Sequence, residues 1–81
     1  MFRYALVVVY EDGNEDIERS GIDLPVDCFF APLMYHFGCT GEEINSPWRA
    51  VLDHPKNSAN ARVYRYNRER IVWLVKKTKL G

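Results

Sequence analysis

The sequence predicts one small α+β domain, in which two β-hairpins share an antiparallel sheet and two short helices lie between the hairpins along the chain. Three observations predict this fold class. The N-terminal run Phe2 to Tyr10 is almost entirely apolar, the middle of the chain holds helix-capping signals, and two β-prone runs near the C-terminus flank a turn. A chain of 81 residues is too short for two independent cores. Residues 1–81 are therefore expected to form a single domain with the element order ββααββ.

The first hairpin is predicted from residues 2–22. Phe2 to Tyr10 is rich in valine, as is typical of a strand that is buried on both faces, so we expect it to be a central strand. Asp12-Gly13-Asn14 supplies residues that tolerate positive φ, which favours a tight turn. Asp16 to Ile22 is expected to return as the second strand, and Asp23-Leu24-Pro25 to form a loop.

The first helix is predicted to be short because of its proline. Residues 26–37 contain apolar side chains at spacings that suit a buried helix, but Pro32 is tolerated only in the first turn of a helix. We therefore expect a helix from Pro32 to Phe37, with Gly38 as its C-terminal cap.

The second helix is predicted from its N-terminal cap. Thr40 and Glu43 have the spacing of a capping box, in which each residue satisfies a backbone N–H of the other. Pro47 leaves two alternatives open, which are a kink in this helix or a new start that is capped by Ser46. The face expected to be buried consists of Ile44, Trp48, Val51 and Leu52.

The second hairpin follows a turn-rich linker at residues 53–60. Ala61 to Tyr66 and Arg70 to Lys77 are two β-prone runs, and Asn67-Arg68-Glu69 lies between them. A basic hairpin is therefore expected at the end of the chain, and its strands are expected to join the sheet of the first hairpin.

Charge is strongly segregated along the chain although the formal net charge is zero. Residues 1–53 hold ten acidic residues and three arginines, which gives −7, whereas residues 54–81 hold eight basic residues and one glutamate, which gives +7. Such segregation favours electrostatic docking on nucleic acid or on a charged protein. The alternative is that the two halves attract each other within the fold.

Two charged segments are candidate partner-binding surfaces. The acidic segment could imitate a phosphate array and occupy the basic groove of a nucleic-acid-handling protein. Its residues are Glu11, Asp12, Glu15, Asp16, Glu18, Asp23 and Asp27. The basic hairpin could bind phosphate or carboxylate through arginine forks. Its candidate residues are Arg62, Arg65, Arg68, Arg70, Lys76 and Lys77, with Tyr64 and Tyr66 for stacking or core packing. The alternatives without a binding role are a solvated acidic loop and an edge hairpin whose charges prevent aggregation.

A winged helix-turn-helix is a further interpretation of the same region. Residues 33–44 have the spacing by which two helices pack across a glycine turn, and the basic hairpin would be the wing. Against it, the second helix opens with Glu42 and Glu43, which phosphates repel, and Pro47 interrupts it. DNA recognition through this unit is therefore not the leading expectation.

Catalytic and metal-binding residues are sparse. Cys28, His36, Cys39 and His54 include the ligand types of zinc, but structural zinc sites usually contribute paired ligands at both ends of the motif. His36 could act as a base for Cys39, yet no third residue, oxyanion loop or phosphate-binding glycine loop accompanies this pair. We expect no cofactor, no metal and no catalysis.

The expected location is cytoplasmic. The apolar run at the N-terminus is short and lacks a small-residue cleavage site, so it does not indicate a signal peptide, and no stretch reaches the length of a membrane span. Cys28 and Cys39 are expected to be free thiols.

The leading hypothesis is a non-catalytic inhibitor or adaptor that docks by charge complementarity on a nucleic-acid-handling protein or nucleoprotein complex. Proteins of this kind that phages and mobile elements encode are often of this size. Direct nucleic-acid binding by the basic hairpin is the second hypothesis. A small thiol or metal-dependent enzyme is the third.

Overall fold

The computed structural model of the chain describes residues 1–22 and 27–81. These residues form a four-stranded antiparallel sheet in the order β2-β1-β4-β3, together with two helices. The predicted fold class and element order are confirmed, and the predicted loop Asp23-Leu24-Pro25 lies outside the described residues. The elements are β1 (Phe2–Val9), β2 (Glu15–Ile22), α1 (Asp27–Phe37), α2 (Gly41–Leu52), β3 (Ser58–Tyr66) and β4 (Glu69–Lys79).

The N-terminal run is a central strand, as its apolar sequence predicts. β1 pairs with β2 on one side and with β4 on the other, which joins the two hairpins in one sheet. The β1–β2 turn is built from local hydrogen bonds: the Gly13 N–H donates to the Tyr10 carbonyl at 2.9 Å, and the Asn14 N–H donates to the Asp12 carboxylate at 2.9 Å. Gly13 has φ +88°, a conformation that glycine adopts without strain.

Helix α1 is longer than the sequence predicted. It begins at Asp27, so Pro32 lies inside the helix and not in its first turn. An interior proline costs about 3 kcal/mol, but Phe29, Leu33 and Phe37 form a stripe along the helix that is almost completely buried. Burial of such side chains contributes about 1.5 to 3 kcal/mol each, which outweighs the proline. Gly38, at φ +68°, ends the helix as predicted.

Helix α2 begins with the predicted capping box. The Thr40 N–H donates to the Glu43 carboxylate at 3.0 Å, and the Glu43 N–H donates to the Thr40 hydroxyl at 3.3 Å. These hydrogen bonds hold the pKa of Glu43 below its usual range. The helix is continuous from Gly41 to Leu52, so the proposed new start at Ser46 is wrong and Pro47 lies within one helix.

Both helices pack on the same face of the sheet. The core between them contains Leu6 and Val8 from β1 and alternate residues of β4, and the predicted helix residues Ile44, Trp48 and Val51 are buried there. Within the described residues, the indole N–H groups of Trp48 and Trp73 have no acceptor. No helix in the described ranges is both long and apolar enough to cross a membrane.

Candidate functional site

The strand register divides the sheet into a face that the helices cover and an open face. Residues directly opposite each other in neighbouring strands point to the same face, and successive residues alternate. Leu6, Val8, Trp73 and Val75 lie in the core below the helices. The intervening residues therefore point to the other face, which neither helix covers.

The open face has an apolar centre. Its members come from all four strands, because Ile17 lies opposite Val7, Val7 opposite Leu74, and Val9 and Val63 opposite Val72. Ile17 is 70% exposed and Val63 is 52% exposed, both on edge strands. The apolar centre is defined as Val7, Val9, Ile17, Val63, Val72 and Leu74. A shallow groove of about 510 Å³ adjoins it and is lined by Val9, Tyr10, Glu11, Arg70 and Val72.

A basic rim surrounds this apolar centre on the same face. Arg65 lies directly opposite Arg70, Arg3 lies opposite Thr78, and Lys76 lies between Ala5 and Ala59. The basic rim is defined as Arg3, Arg65, Arg70 and Lys76, all of which are exposed. On β2 the face carries one acidic residue, Glu15, opposite Val9. The potential above the apolar centre is therefore positive.

The tip of the second hairpin adds another arginine. Asn67 and Arg68 have φ +50° and +65°, which is the pattern of a two-residue turn with both central residues in the left-handed region. Asparagine tolerates this region, whereas arginine in it is strained by roughly 1 to 2 kcal/mol. Arg68 is exposed at the end of the hairpin that carries Arg65 and Arg70.

The predicted basic hairpin is not one surface. Arg65, Arg70 and Lys76 lie on the open face, whereas Tyr64, Tyr66, Arg62 and Lys77 alternate onto the helix-covered face. The Tyr66 ring packs against Phe37 at 5.4 Å between centroids. These tyrosines therefore do not share a surface with the arginines of the open face.

Lys77 must be removed from the predicted partner-binding set. Its side chain is only 5% exposed, and its ammonium donates to the Leu52 carbonyl at 3.0 Å and also to the His54 carbonyl. The same ammonium lies 4.2 Å from the centroid of the Phe2 ring. Lys77 thus binds the end of α2 and has a structural role.

The acidic segment is also spread over several surfaces. The Glu11 carboxylate accepts a hydrogen bond from the Arg70 backbone N–H at 2.7 Å, and Asp12 stabilises the β1–β2 turn. Glu15 lies on the open face, while Asp16 lies opposite Val8 and so points to the helix-covered face. Glu18 occupies an irregularity where β2 has one residue more than β1. Asp23 and the side chain of Asp27 lie outside the described residues.

The thiol and metal candidates are dispersed. Cys39 is buried, and this burial, with the nearby Glu43 carboxylate, raises the pKa of its thiol to about 11. The thiol is therefore protonated at neutral pH, which makes it a poor nucleophile. His36 and His54 are exposed on different elements, and the Cys28 side chain lies outside the described part. Among described side chains, no three His, Cys, Asp or Glu residues are grouped to hold a metal ion.

Sequence reasoning missed the apolar centre of the open face. A signal for it was present. A valine-rich run is typical of a strand with apolar side chains on both faces. The only predicted helices lie between the hairpins along the chain, and nothing was predicted to cover the second face. Arg3, on the basic rim, was missed because it lies outside both charged segments. The open face, with its basic rim and Arg68 beside it, is the candidate functional site.

No protein-family model matches the chain, and neither a curated protein nor a solved structure is significantly similar to it. Its function is therefore inferred from the chemistry of its own surfaces.

Proposed function

We propose that this chain is a non-catalytic binding domain that docks on another protein through the open face of its sheet. The partner surface would have an apolar centre and acidic residues around it, and the domain would act as an adaptor or inhibitor of that partner. The observation that carries the proposal is the pair Arg65 and Arg70, which lie directly opposite each other beside the exposed Val63 and the half-buried Val72. Like charges at such positions destabilise a sheet, so their presence requires another explanation.

A binding role supplies that explanation. Arg68 has strained backbone geometry at the same end of the hairpin where Arg65 and Arg70 repel each other. Residues that destabilise the folded state are expected at functional sites, because at other positions selection can replace them without loss of function. Carboxylates on a partner would bind these guanidinium groups bidentately and relieve their repulsion.

The apolar centre favours a protein over nucleic acid as the partner. Proteins that bind single strands combine basic grooves with aromatic rings on which bases stack. In the described strands the open face carries aliphatic side chains at its centre, while Tyr64 and Tyr66 point to the other face. Aliphatic side chains pack against a partner's apolar side chains and contribute about 25 cal/mol per Å² of buried apolar area.

The apolar centre is too small to form an interface by itself, so charged residues must also contact the partner. Four strands at about 4.8 Å spacing place the outer backbones about 14 Å apart, and two rows of side chains add about 7 Å along the strands. The resulting area, on the order of 100 Å², is well below the roughly 800 Å² that each partner buries in a standard interface. The basic rim and Arg68 are therefore proposed as part of the interface.

The class of partner that we propose is a nucleic-acid-handling protein or nucleoprotein complex. The domain has acidic residues on edge strand β2, such as Glu15 and Asp16, and arginines on the opposite edge strand β3. Proteins of this class carry basic surfaces that bind phosphate, which would contact the acidic edge, while acidic residues or phosphates of the complex would bind the arginines.

The test uses two variants that add the same charge at different places. Val63→Glu places a carboxylate in the apolar centre, whereas Tyr35→Glu places one on α1, where Tyr35 is 87% exposed. The tagged chain is used to capture partners from its host, with and without nuclease. We expect a partner that survives nuclease, is lost with Val63→Glu and is retained with Tyr35→Glu. Equal capture by both variants, at equal melting temperature, contradicts the proposal.

Direct nucleic-acid binding is the second candidate, and the observation that favours it is the grouping of Arg65, Arg68 and Arg70 at one hairpin end. Each phosphate contact on duplex DNA contributes a slope of about −0.9 to the log-log dependence of affinity on salt. If nucleic acid is the partner, Arg68→Ala with Arg70→Ala should flatten that slope by about two units. Absence of oligonucleotide binding at low salt excludes this candidate.

A further inference from the structure

A cleft of about 220 Å³ lies on the helix-covered side of the sheet, at the end where α1 stops. Four elements contribute to its lining, which consists of Tyr10 after β1, Glu18 of β2, His36 and Phe37 of α1, and Tyr66 of β3. Tyr10 also lines the groove beside the apolar centre, whereas the other four residues do not, so the cleft is distinct from the proposed docking surface. Its lining combines the rings of two tyrosines and one phenylalanine with a histidine imidazole and one carboxylate.

Two of the rings that line the cleft pack edge to face against each other. Phe37 and Tyr66 are related by an interplanar angle of 83°, with 5.4 Å between their centroids. Phe37 is buried and therefore fixed, whereas Tyr66 is 40% exposed and borders the opening. Tyr10, at the end of β1, is half-buried. Aromatic residues that line one small volume favour organic cations, because each ring face carries partial negative charge.

Two features of the cleft favour a cation, although the His36 imidazole also lines it. The irregularity in β2 brings the Glu18 carboxylate to the cleft, and the last turn of α1 contributes His36 and Phe37. The C-terminus of a helix carries partial negative charge that favours cations. The pKa of Tyr10 is raised, first by burial and then by the negative charges of Asp16 and Glu18.

We propose that this cleft binds an organic ammonium group, of the size of a trimethylammonium or an alkylated lysine head group. The rings of Tyr10, Phe37 and Tyr66 would surround the alkyl groups, and Glu18 would neutralise the charge. Glu18 and the helix end disfavour an anion. A neutral apolar ligand of the same shape would leave the carboxylate without a counter-charge, so charge is the feature that the cleft selects.

The experiment compares choline with 3,3-dimethylbutan-1-ol, which has the same shape without the charge. Binding to the full chain is measured by calorimetry and by chemical-shift changes of residues that line the cleft. We expect choline to bind and the neutral alcohol to bind at least several-fold more weakly. A peptide with trimethyllysine and the same peptide with unmodified lysine form two further arms, which separate a free small cation from a protein side chain as the source.

Variants locate the binding. Tyr66→Ala should weaken choline binding roughly 3- to 30-fold, as expected for loss of one cation–π contact, and Glu18→Gln should weaken it while retaining the shape of the side chain. Tyr35→Ala and Glu15→Gln are the matched controls, because both residues are exposed and lie outside the cleft. Melting temperatures establish that all four variants are folded. Equal affinity for choline and the alcohol, absence of choline binding at tens of millimolar, or no effect of Glu18→Gln and Tyr66→Ala each overturns the proposal.

Discussion

Arg68 is the residue at which local conformation and side-chain identity disagree most clearly. Its φ of +65° belongs to the left-handed region, where glycine is the usual residue in a two-residue hairpin turn. Its neighbour Asn67, at φ +50°, tolerates this region by local hydrogen bonding. An arginine at this position is therefore explained by its charge and not by the turn.

Two substitutions of Arg68 separate the charge from the conformation. Arg68→Gly should raise the free energy of unfolding by roughly 0.5 to 1 kcal/mol, because glycine adopts positive φ without steric strain. Arg68→Ala removes the same charge but keeps the strain, so its stability should stay close to that of the parent chain. Urea denaturation measures both values. A glycine variant that is no more stable than the alanine variant would show that the turn is not strained.

Cys39 is the buried residue whose ionisation links stability to pH. Burial, with the nearby Glu43 carboxylate, raises the pKa of the folded thiol from 9.0 to about 11. Below pH 9 the thiol is protonated in both the folded and the unfolded state, so the buried thiol makes its full contribution to stability. Between pH 9 and 11 the unfolded thiol ionises first, so the folded state loses stability as pH rises.

The expected slope is a loss of roughly 1.4 kcal/mol per pH unit within that interval. Because tyrosines and lysines also ionise there, the measurement is the difference in unfolding free energy between the parent chain and Cys39→Ala. That difference should be constant from pH 6 to 8 and should then fall towards pH 11. A difference that does not change across the whole range contradicts the assigned pKa.

Lys77 connects three elements of the fold. It belongs to β4, its ammonium donates to the carbonyls of Leu52 and His54 at the end of α2, and it lies over the Phe2 ring of β1. The last carbonyls of a helix have no partner within the helix, so a cation from the sheet satisfies them and complements the helix dipole. Ser58 adds a second link, since its hydroxyl donates to the Val51 carbonyl at 3.1 Å.

Lys77 and Lys76 provide a matched pair of substitutions. Lys77→Met retains most of the buried aliphatic chain but removes the hydrogen bonds, and it should lower the free energy of unfolding by roughly 2 kcal/mol, since bonds to charged groups contribute about 1.5 to 3. Lys76 is exposed on the open face, so Lys76→Met should change stability by less than about 0.5 kcal/mol. Thermal and urea unfolding compare the two. Equal effects would mean that the contact with α2 contributes little.

The elements differ in how far the sequence predicted them. The capping box at Thr40 and the glycine turn at Gly13 depend on neighbouring residues, and both were predicted correctly. The start of α1 was wrong because proline propensity is a local signal, whereas the burial of Phe29 and Leu33 depends on a sheet formed by distant strands. Pro47 illustrates the same effect in α2, where a buried face keeps the helix continuous.

The fold separates the acidic residues of edge strand β2 from the arginines of the opposite edge strand β3, while the other basic strand, β4, lies at the centre of the sheet. β2 and β3 are separated by two strands, which corresponds to about 14 Å and exceeds the Debye length of about 8 Å at physiological salt. Attraction between the two edge strands is therefore largely screened, although Glu11 does reach the backbone of Arg70. Attraction between these two edge strands therefore does not account for the arginines of β3.

Most basic residues of the site could be predicted, but its apolar centre and its arrangement could not. The alternation of side chains in β3 and β4 could be predicted from the sequence. Each of the two faces nevertheless contains apolar or aromatic members together with basic ones: Val63 lies with Arg65 on one face, and Tyr64 lies with Arg62 on the other. Which set the helices cover depends on the packing of α2 against β3 and β4. The open face and the cleft therefore became visible only in three dimensions.

The open face also determines how the whole molecule should behave without a partner. Two copies could bury their apolar centres against each other, but each centre is surrounded by Arg3, Arg65, Arg70 and Lys76. Repulsion between two such rims opposes association at low salt. Since the Debye length falls from about 10 Å at 0.1 M salt to about 3 Å at 1 M, salt should weaken the repulsion and leave the hydrophobic attraction.

We therefore expect self-association to increase with salt, which is opposite to the behaviour of an interface held by ion pairs. Sedimentation velocity at high protein concentration should detect monomer at 0.05 M sodium chloride and a growing dimer fraction towards 1 M. Val63→Glu adds a charge to the apolar centre and should prevent dimerisation at any salt concentration, whereas Tyr35→Glu, on the exposed side of α1, should not. A dimer that is lost in both variants, or that dissociates as salt rises, would place the self-association on another surface and remove the open face as its cause.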